Sequence, residues 1–348
     1  MSYGISPISP SDRRGNRQLD ELLKAVGIRR DGNLDYTCGM FDEDFNLIAT
    51  GSCFGPTLRC LAVDQAHQGE GLMAKVVTHL TEVQCRWGHL HLFLYTKCSA
   101  AAVFRDLGFY EIARAGDEAV FMENRSGGFS GYLASLGGPS QPGERAAAIV
   151  MNANPFTLGH LHLVERACGE NDRVHLFIVS EEAGPIPAAV RKRLVLEGTA
   201  HLKNLVCHDT GPYLVSTATF PSYFQRDEAA VIHSHAGLDA AIFLKIAKTL
   251  GVRRRYVGEE PASVVTGIYN DVLTRELPKA GVECVVIPRK AGPDGKPISA
   301  STVRQALQQG DFAALDALVP PATLDYFRSP EAQPVLERIR SAGDVVHY

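Results

Sequence analysis

The sequence has no long hydrophobic run. No segment approaches the roughly 20 apolar residues that a membrane-spanning helix needs, and residues 1–19 are polar and rich in Ser, Pro and Arg, without the apolar core of a secretory leader. No membrane partner is expected, and the expected compartment is the cytoplasm. Paired cysteines are also missing. The eight cysteines, Cys38, Cys53, Cys60, Cys85, Cys98, Cys168, Cys207 and Cys284, form no CxxC pair and fit no zinc spacing. Several lie in apolar runs, as reduced buried thiols do, so no metal site is expected. His233 and His235 lack a convincing third ligand and are read the same way. Charge of one sign is absent too. With 35 basic and 39 acidic residues the formal net charge is −4, which gives no global reason to expect nucleic acid. The local cluster Arg253-Arg254-Arg255 is either a phosphate or partner contact or a solvated turn. There is no internal repeat.

What remains is an ordinary globular composition, 348 residues with 45% hydrophobic and 21% charged, enough for two domains with cores of their own. Residues 1–17 read as a flexible arm. In residues 18–125, strands at 36–41, 47–50, 57–63, 91–96, 109–113 and 119–123 mix with helices near 19–26, 72–86 and 100–107, a mixed α+β domain. Residues 126–143 hold eight Gly and Pro and read as a linker, with room for a short helix at 132–136. From 144 to 328 strand and helix alternate. Strands are expected at 146–151, 173–179, 205–208, 230–233, 255–257 and 282–287, and helices at 159–168, 188–202, 241–250 and 301–309. This is the α/β pattern of a Rossmann-like parallel sheet, which takes ligands beyond the carboxyl ends of its strands. Residues 329–348 read as a tail.

The expected strand at 146–151 runs into Asn152-Ala-Asn-Pro-Phe-Thr-Leu-Gly-His160 and then directly into a helix. A helix N-terminus there presents unpaired N–H groups and a positive dipole end, which suits an anion. Gly159 leaves the backbone open to close approach, and Thr157 and His160 offer a hydroxyl and an N–H. Later, Ile298-Ser-Ala-Ser-Thr-Val-Arg304 places Ser299 or Ser301 as a helix cap, and Arg304 where a planar fork of donors could reach the same anion. An ordinary capped surface helix is the alternative for the second segment alone.

Thr157-Leu-Gly-His160 resembles the HxGH-type signature of the nucleotidyltransferase superfamily, with Thr in first place, and residues 298–304 resemble its ISSTxxR motif. Longer stretches are similar to the citrate lyase ligase family: 149–157, 196–200, 218–224, 257–261 and 297–301, joined by 95–97 and 102–105 in the first half. That resemblance implies a ligase that uses ATP and Mg2+. Acetate would attack the α-phosphorus to give acetyl adenylate and pyrophosphate. The thiol of a CoA-like prosthetic group on the acyl carrier subunit of citrate lyase would then take the acetyl group and release AMP. It implies His160 and Arg304 as catalytic residues, and nucleotide contacts at Asn154, Phe156, Thr157, Gly159, His160, Gly258, Ser299, Ser301 and Thr302. Arg191 is a further phosphate candidate or a surface helical arginine, and Glu259 a nucleotide contact or a solvated loop residue.

In the first half, Gln68-Gly-Glu-Gly-Leu-Met73 resembles the pyrophosphate loop of the GCN5-related N-acetyltransferase fold, with Met73 where Gly or Ala is usual, and 104–109 matches a later part of that fold. The resemblance implies that Gln68, Gly69 and Gly71 hold the CoA-like arm. A domain that only docks the partner is the alternative. Three rival functions remain for the whole chain: an adenylyltransferase for a phosphorylated cofactor precursor, an acetyl-CoA-dependent acetyltransferase, and a non-catalytic nucleotide or acyl-CoA sensor.

Overall fold

The computed structural model describes residues 3–182, 184–214, 228–259, 264–293 and 295–341. The chain divides into two compact units. The first takes the chain up to Phe129 together with the stretch that ends at Ala241, and the second takes the rest.

The sheet of the first unit has seven strands, β1 (Ile5–Pro7), β2 (Tyr36–Phe41), β3 (Leu47–Phe54), β4 (Thr57–Val63), β5 (Phe93–Thr96), β6 (Tyr110–Ala115) and β7 (Ala119–Glu123), in the order β1-β2-β3-β4-β5-β7-β6. Every pairing is antiparallel except β4 with β5, so the expected mixed α+β organisation is present. That parallel pair is joined only at Thr57↔Phe93 and Leu58↔Leu94. Beyond those residues the strands part and leave a gap at their carboxyl ends. Helix α1 (Arg13–Ala25) is capped by Asp12, and α2 (Leu72–Arg86) buries Leu72, Val76, Leu80 and Val83 at three- and four-residue spacing. A short α3 (Ala101–Asp106) follows β5, and α4 (Gly128–Ser135) supplies the helix expected near 132–136 a few residues early. The stretch read as an arm contains β1, which pairs with β2, and the first turn of α1. Its Ser and Pro content hid a three-residue strand too short to show a period.

The second unit holds five parallel strands, β8 (Ala146–Met151), β9 (Arg173–Ile178), β10 (Leu205–Asp209), β11 (Arg254–Gly258) and β12 (Glu283–Ile287), in the order β10-β9-β8-β11-β12. The chain leaves the central strand β8 to one side and returns to the other at β11, so the order reverses between these two. That reversal opens a crevice beyond their carboxyl ends. Helices α5 (Leu158–Glu170), α6 (Ala188–Gly198), α7 (Glu228–Leu250), α8 (Val264–Glu276), α9 (Ala300–Gln309), α10 (Pro321–Arg328) and α11 (Gln333–Ser341) complete the chain.

Three expectations fail here. The strand at 230–233 is the start of α7, whose buried Ile232, Ala236, Ala240, Phe243 and Leu250 repeat at helical spacing. A short apolar run carries no period by itself, and the helix that continues it decides. Residues 230–250 of this helix are also long and apolar enough to cross a membrane, with a mean hydropathy of 1.2, but 67% of that window is buried inside the fold. It reads as a core helix. His233 and His235, two apart on it, are exposed and buried respectively, as helical geometry dictates. Lastly, the expected tail carries α11, whose Val335, Leu336 and Ile339 pack into the same core as β8 and β9.

Candidate active site

The site grows from the turn that joins β8 to α5. Ala153 takes a positive φ of 51°, and Asn154–Pro155 is a cis peptide. Thr157 caps α5, and its Oγ1 accepts from the His160 backbone N–H at 3.2 Å. In return the Thr157 N–H donates to His160 Nδ1 at 3.1 Å. This reciprocal capping box orients the ring, which also lies nearly parallel to Phe156 at a centroid distance of 6.0 Å. An accepting Nδ1 puts the imidazole proton on Nε2. Burial first, and the charge of Arg289 second, push the His160 pKa down to about 4, so the ring is a neutral N–H donor at physiological pH.

The second segment arrives at the same place. Ser299, not Ser301, caps α9 by accepting from Thr302 N at 3.0 Å, and its hydroxyl meets Thr302 Oγ1 at 2.8 Å. Gly159 is where the two segments touch. A Cβ there would lie 2.9 Å from the Ile298 carbonyl oxygen, so glycine permits the N-termini of α5 and α9 to sit side by side.

A cavity of about 310 Å³ lies at the carboxyl ends of β8, β11 and β12, at the crevice where strand order reverses. Of the residues expected from the sequence, Thr157, Gly159, His160, Gly258 and Ser299 line it. The others surround it. Phe156 is fully buried in the core. Asn154 is buried behind the turn, and Ser301 and Thr302 lie on α9 beyond the wall. Glu259 adjoins the lip, where its N–H donates to Ile287 O at 2.8 Å.

Both arginines singled out from the sequence face backbone carbonyls. Arg191 is 0% exposed. Its Nη1 donates to Asn152 O and Oδ1, each at 2.7 Å, and to Val179 O at 2.9 Å. Its Nε reaches Ile186 O at 3.2 Å, and its Nη2 the Glu181 carbonyl. It therefore ties the ends of β8 and β9 to the start of α6 and is neither a surface residue nor a lining one. Arg304, 6% exposed, donates from Nη1 to Asn154 O at 2.6 Å and from Nη2 to Ser301 Oγ at 3.1 Å. It links α9 to the turn from the other side. Residues not singled out from the sequence complete the wall: Thr266, Tyr269 and Asn270 from α8, and Arg289. Arg255, from the cluster expected to be a phosphate or partner contact or a solvated turn, also lines it and is 3% exposed, so it is no solvated turn residue. Asn270 Nδ2 donates to Gly258 O at 3.0 Å. The available signal was the helical spacing of Ile268, Val272 and Leu273, which places 266, 269 and 270 on one helix.

In the first unit a cavity of about 830 Å³ fills the gap where β4 and β5 part. Gln68, Gly69 and Gly71 line it together with Met73 and Lys97. Gly71, at a φ of 74°, caps α2 without a side-chain bond, and Leu72, Met73 and Ala74 of the first turn also line the cavity.

The sequence profile of the citrate lyase ligase C-terminal domain matches residues 146–327. The [citrate [pro-3S]-lyase] ligase of Escherichia coli is 36% identical over 336 residues, 94% of this chain and 95% of the relative. The chain belongs to the citrate lyase ligase family. The ligase of the same name from Klebsiella pneumoniae is 40% identical over 285 residues, covering 80% of this chain and 83% of its own. Among solved structures, a GNAT-family acetyltransferase from Staphylococcus aureus overlaps 36% of this chain and 100% of its own at 14% identity, with a TM-score of 0.31. Membership of this family makes the chain an enzyme, and the matched residues 146–327 include all five strands of the parallel sheet and the lining of the cavity at His160.

Proposed function

We propose that this member of the citrate lyase ligase family activates acetate with ATP and passes the acetyl group to a thiol of its partner. The observation that carries the reading is the convergence of two helix N-termini and a neutral imidazole donor on one cavity whose described lining includes no carboxylate. Such a wall suits a polyphosphate. An acetate oxygen attacks the α-phosphorus, the bond to the bridging oxygen breaks, and pyrophosphate leaves with the electron pair. The thiol sulfur then attacks the acetyl carbonyl carbon, the C–O bond to the phosphate breaks, AMP leaves, and the thiol proton passes to solvent. The substrate supplies the nucleophile in both steps, so the protein's task is to position groups and balance charge. His160 Nε2–H and the backbone N–H groups at Gly159 and Ala300 would meet phosphate oxygens. Arg304 would act through the Asn154 carbonyl that it holds.

Among the described residues no three His, Cys, Asp or Glu side chains gather to hold a metal. We therefore assign Mg2+ to the ATP phosphates, where it would neutralise charge on the leaving pyrophosphate. The relatives are named as ligases of citrate lyase, which supports its acyl carrier subunit, with a CoA-like arm, as the thiol donor. Neither nucleic acid nor membrane enters this scheme. The free cysteines fit a reducing cytoplasm.

The test is pyrophosphate release from MgATP with and without acetate. Release that depends on acetate, with AMP appearing only after a thiol acceptor is added, is the expected result. Release without acetate would overturn the reading and favour adenylyl transfer to a phosphorylated acceptor.

The cavity at Gln68, Gly69 and Gly71 is assigned to the CoA-like arm on the same footing. Met73→Glu puts a carboxylate at that wall in the first turn of α2, where the helix dipole tolerates it and no backbone strain arises. The variant should raise the KM for the thiol acceptor by about tenfold or more through charge repulsion with a pyrophosphate, while acetate-dependent pyrophosphate release stays unchanged. An unaltered acceptor KM would remove the arm from this cavity.

A further inference from the structure

We propose that Arg289 is the side-chain cation that binds the ATP phosphates, a catalytic residue lying outside both sequence motifs. The inference rests on the adenylation reading above. A polyphosphate cavity needs a cation, and the two arginines expected from the sequence do not line this one: Arg191 and Arg304 spend donors on the carbonyls of Asn152 and Asn154. Arg255 and Arg289 do line it. Arg255 is 3% exposed, and its guanidinium sits 4.4 Å over the Phe243 ring. Arg289 is half-buried and follows directly after Ile287 and Pro288 at the end of β12. Its Nε donates to Glu259 O at 2.6 Å, which anchors the guanidinium to the lip of the crevice beyond β11.

From there its charge reaches His160, whose protonation it disfavours. The same field acts on any anion held at His160. A planar guanidinium anchored through Nε matches phosphate oxygens in shape as well as charge. It also stands where the leaving pyrophosphate gathers negative charge as the bond to the α-phosphorus breaks.

Arg289→Ala and Arg289→Lys in the full chain test this. Binding of MgATP, inorganic pyrophosphate and AMP is titrated calorimetrically, beside acetate-dependent pyrophosphate release. The alanine variant should weaken MgATP and pyrophosphate binding by about 10- to 100-fold while AMP stays within about threefold. Lysine should restore part of the loss, because it keeps the charge without the fork. Equal weakening of AMP and ATP would mean that Arg289 acts through packing, and no weakening would mean that it touches no phosphate. Either result overturns the proposal. If the wild type releases no pyrophosphate with acetate, the adenylation reading fails, and the ATP-against-AMP comparison still decides the role of Arg289.

Discussion

His160→Ala should lower acetate-dependent pyrophosphate release by about 100- to 1,000-fold, the range for deleting one preorganised donor to a charge that develops in the transition state. The ring is built for donation. Its Nδ1 is occupied by the Thr157 N–H, so the proton resides on Nε2, and its pKa of about 4 keeps it neutral. Alanine also removes half of the capping box, at a cost of about 1 kcal/mol in stability. His160→Asn separates the two effects. Its carbonyl can still accept from Thr157, so it should restore the cap and leave most of the catalytic loss. Wild-type turnover in both variants would take His160 out of the mechanism.

The same pKa gives a pH signature with a definite sign. The folded value of about 4 lies below the ordinary histidine value of 6.5, so the unfolded chain binds the extra proton first as pH falls. The stability tied to the neutral ring is complete above pH 6.5 and is lost as pH falls from there through about 4. Thermal unfolding of the wild type should therefore fall off more steeply across that window than that of His160→Asn. Identical slopes would mean that the ring titrates normally.

Arg191→Ala should be the most destabilising single change at the site, by about 3–5 kcal/mol, as is usual when a buried charged network loses one member. The guanidinium is fully buried, and it donates to the carbonyls of Asn152, Val179, Glu181 and Ile186. Removing it strands those carbonyls at the ends of β8 and β9 without donors. Lysine can replace only some of the bonds and should fall between. The urea midpoint measures this, and the KM for ATP in the surviving folded fraction should change little. Unaltered stability with a raised KM would instead make Arg191 the phosphate ligand that its place in the sequence invited.

The two arginines show where one-dimensional reading stops. Arg191 and Arg304 occupy positions where a cation near a phosphate is chemically sensible, and charge and spacing are all that a sequence records. Where a guanidinium points is set by the carbonyls it meets. Those come from segments far apart in the chain: Arg304 meets Asn154, 150 positions away. Arg289 carries no motif and gains its place because β12 ends at the cavity that the start of α5 also walls. Short elements were lost for a related reason. β1 has three residues, and the strand expected at 230–233 rested on an apolar run too brief to show whether it belonged to a helix.

By itself the sequence determined the alternation that makes a parallel sheet, the two helix starts near 157–160 and 299–301, and the family. These are local, because periodicity, caps and contiguous motifs involve neighbours within a few residues. Only the tertiary structure decided that the two helix starts meet through Gly159 against Ile298, that α8 and Arg289 wall the cavity, and that Arg191 and Arg304 serve the backbone. Contacts across the chain depend on strand order and packing, which no short window of sequence contains.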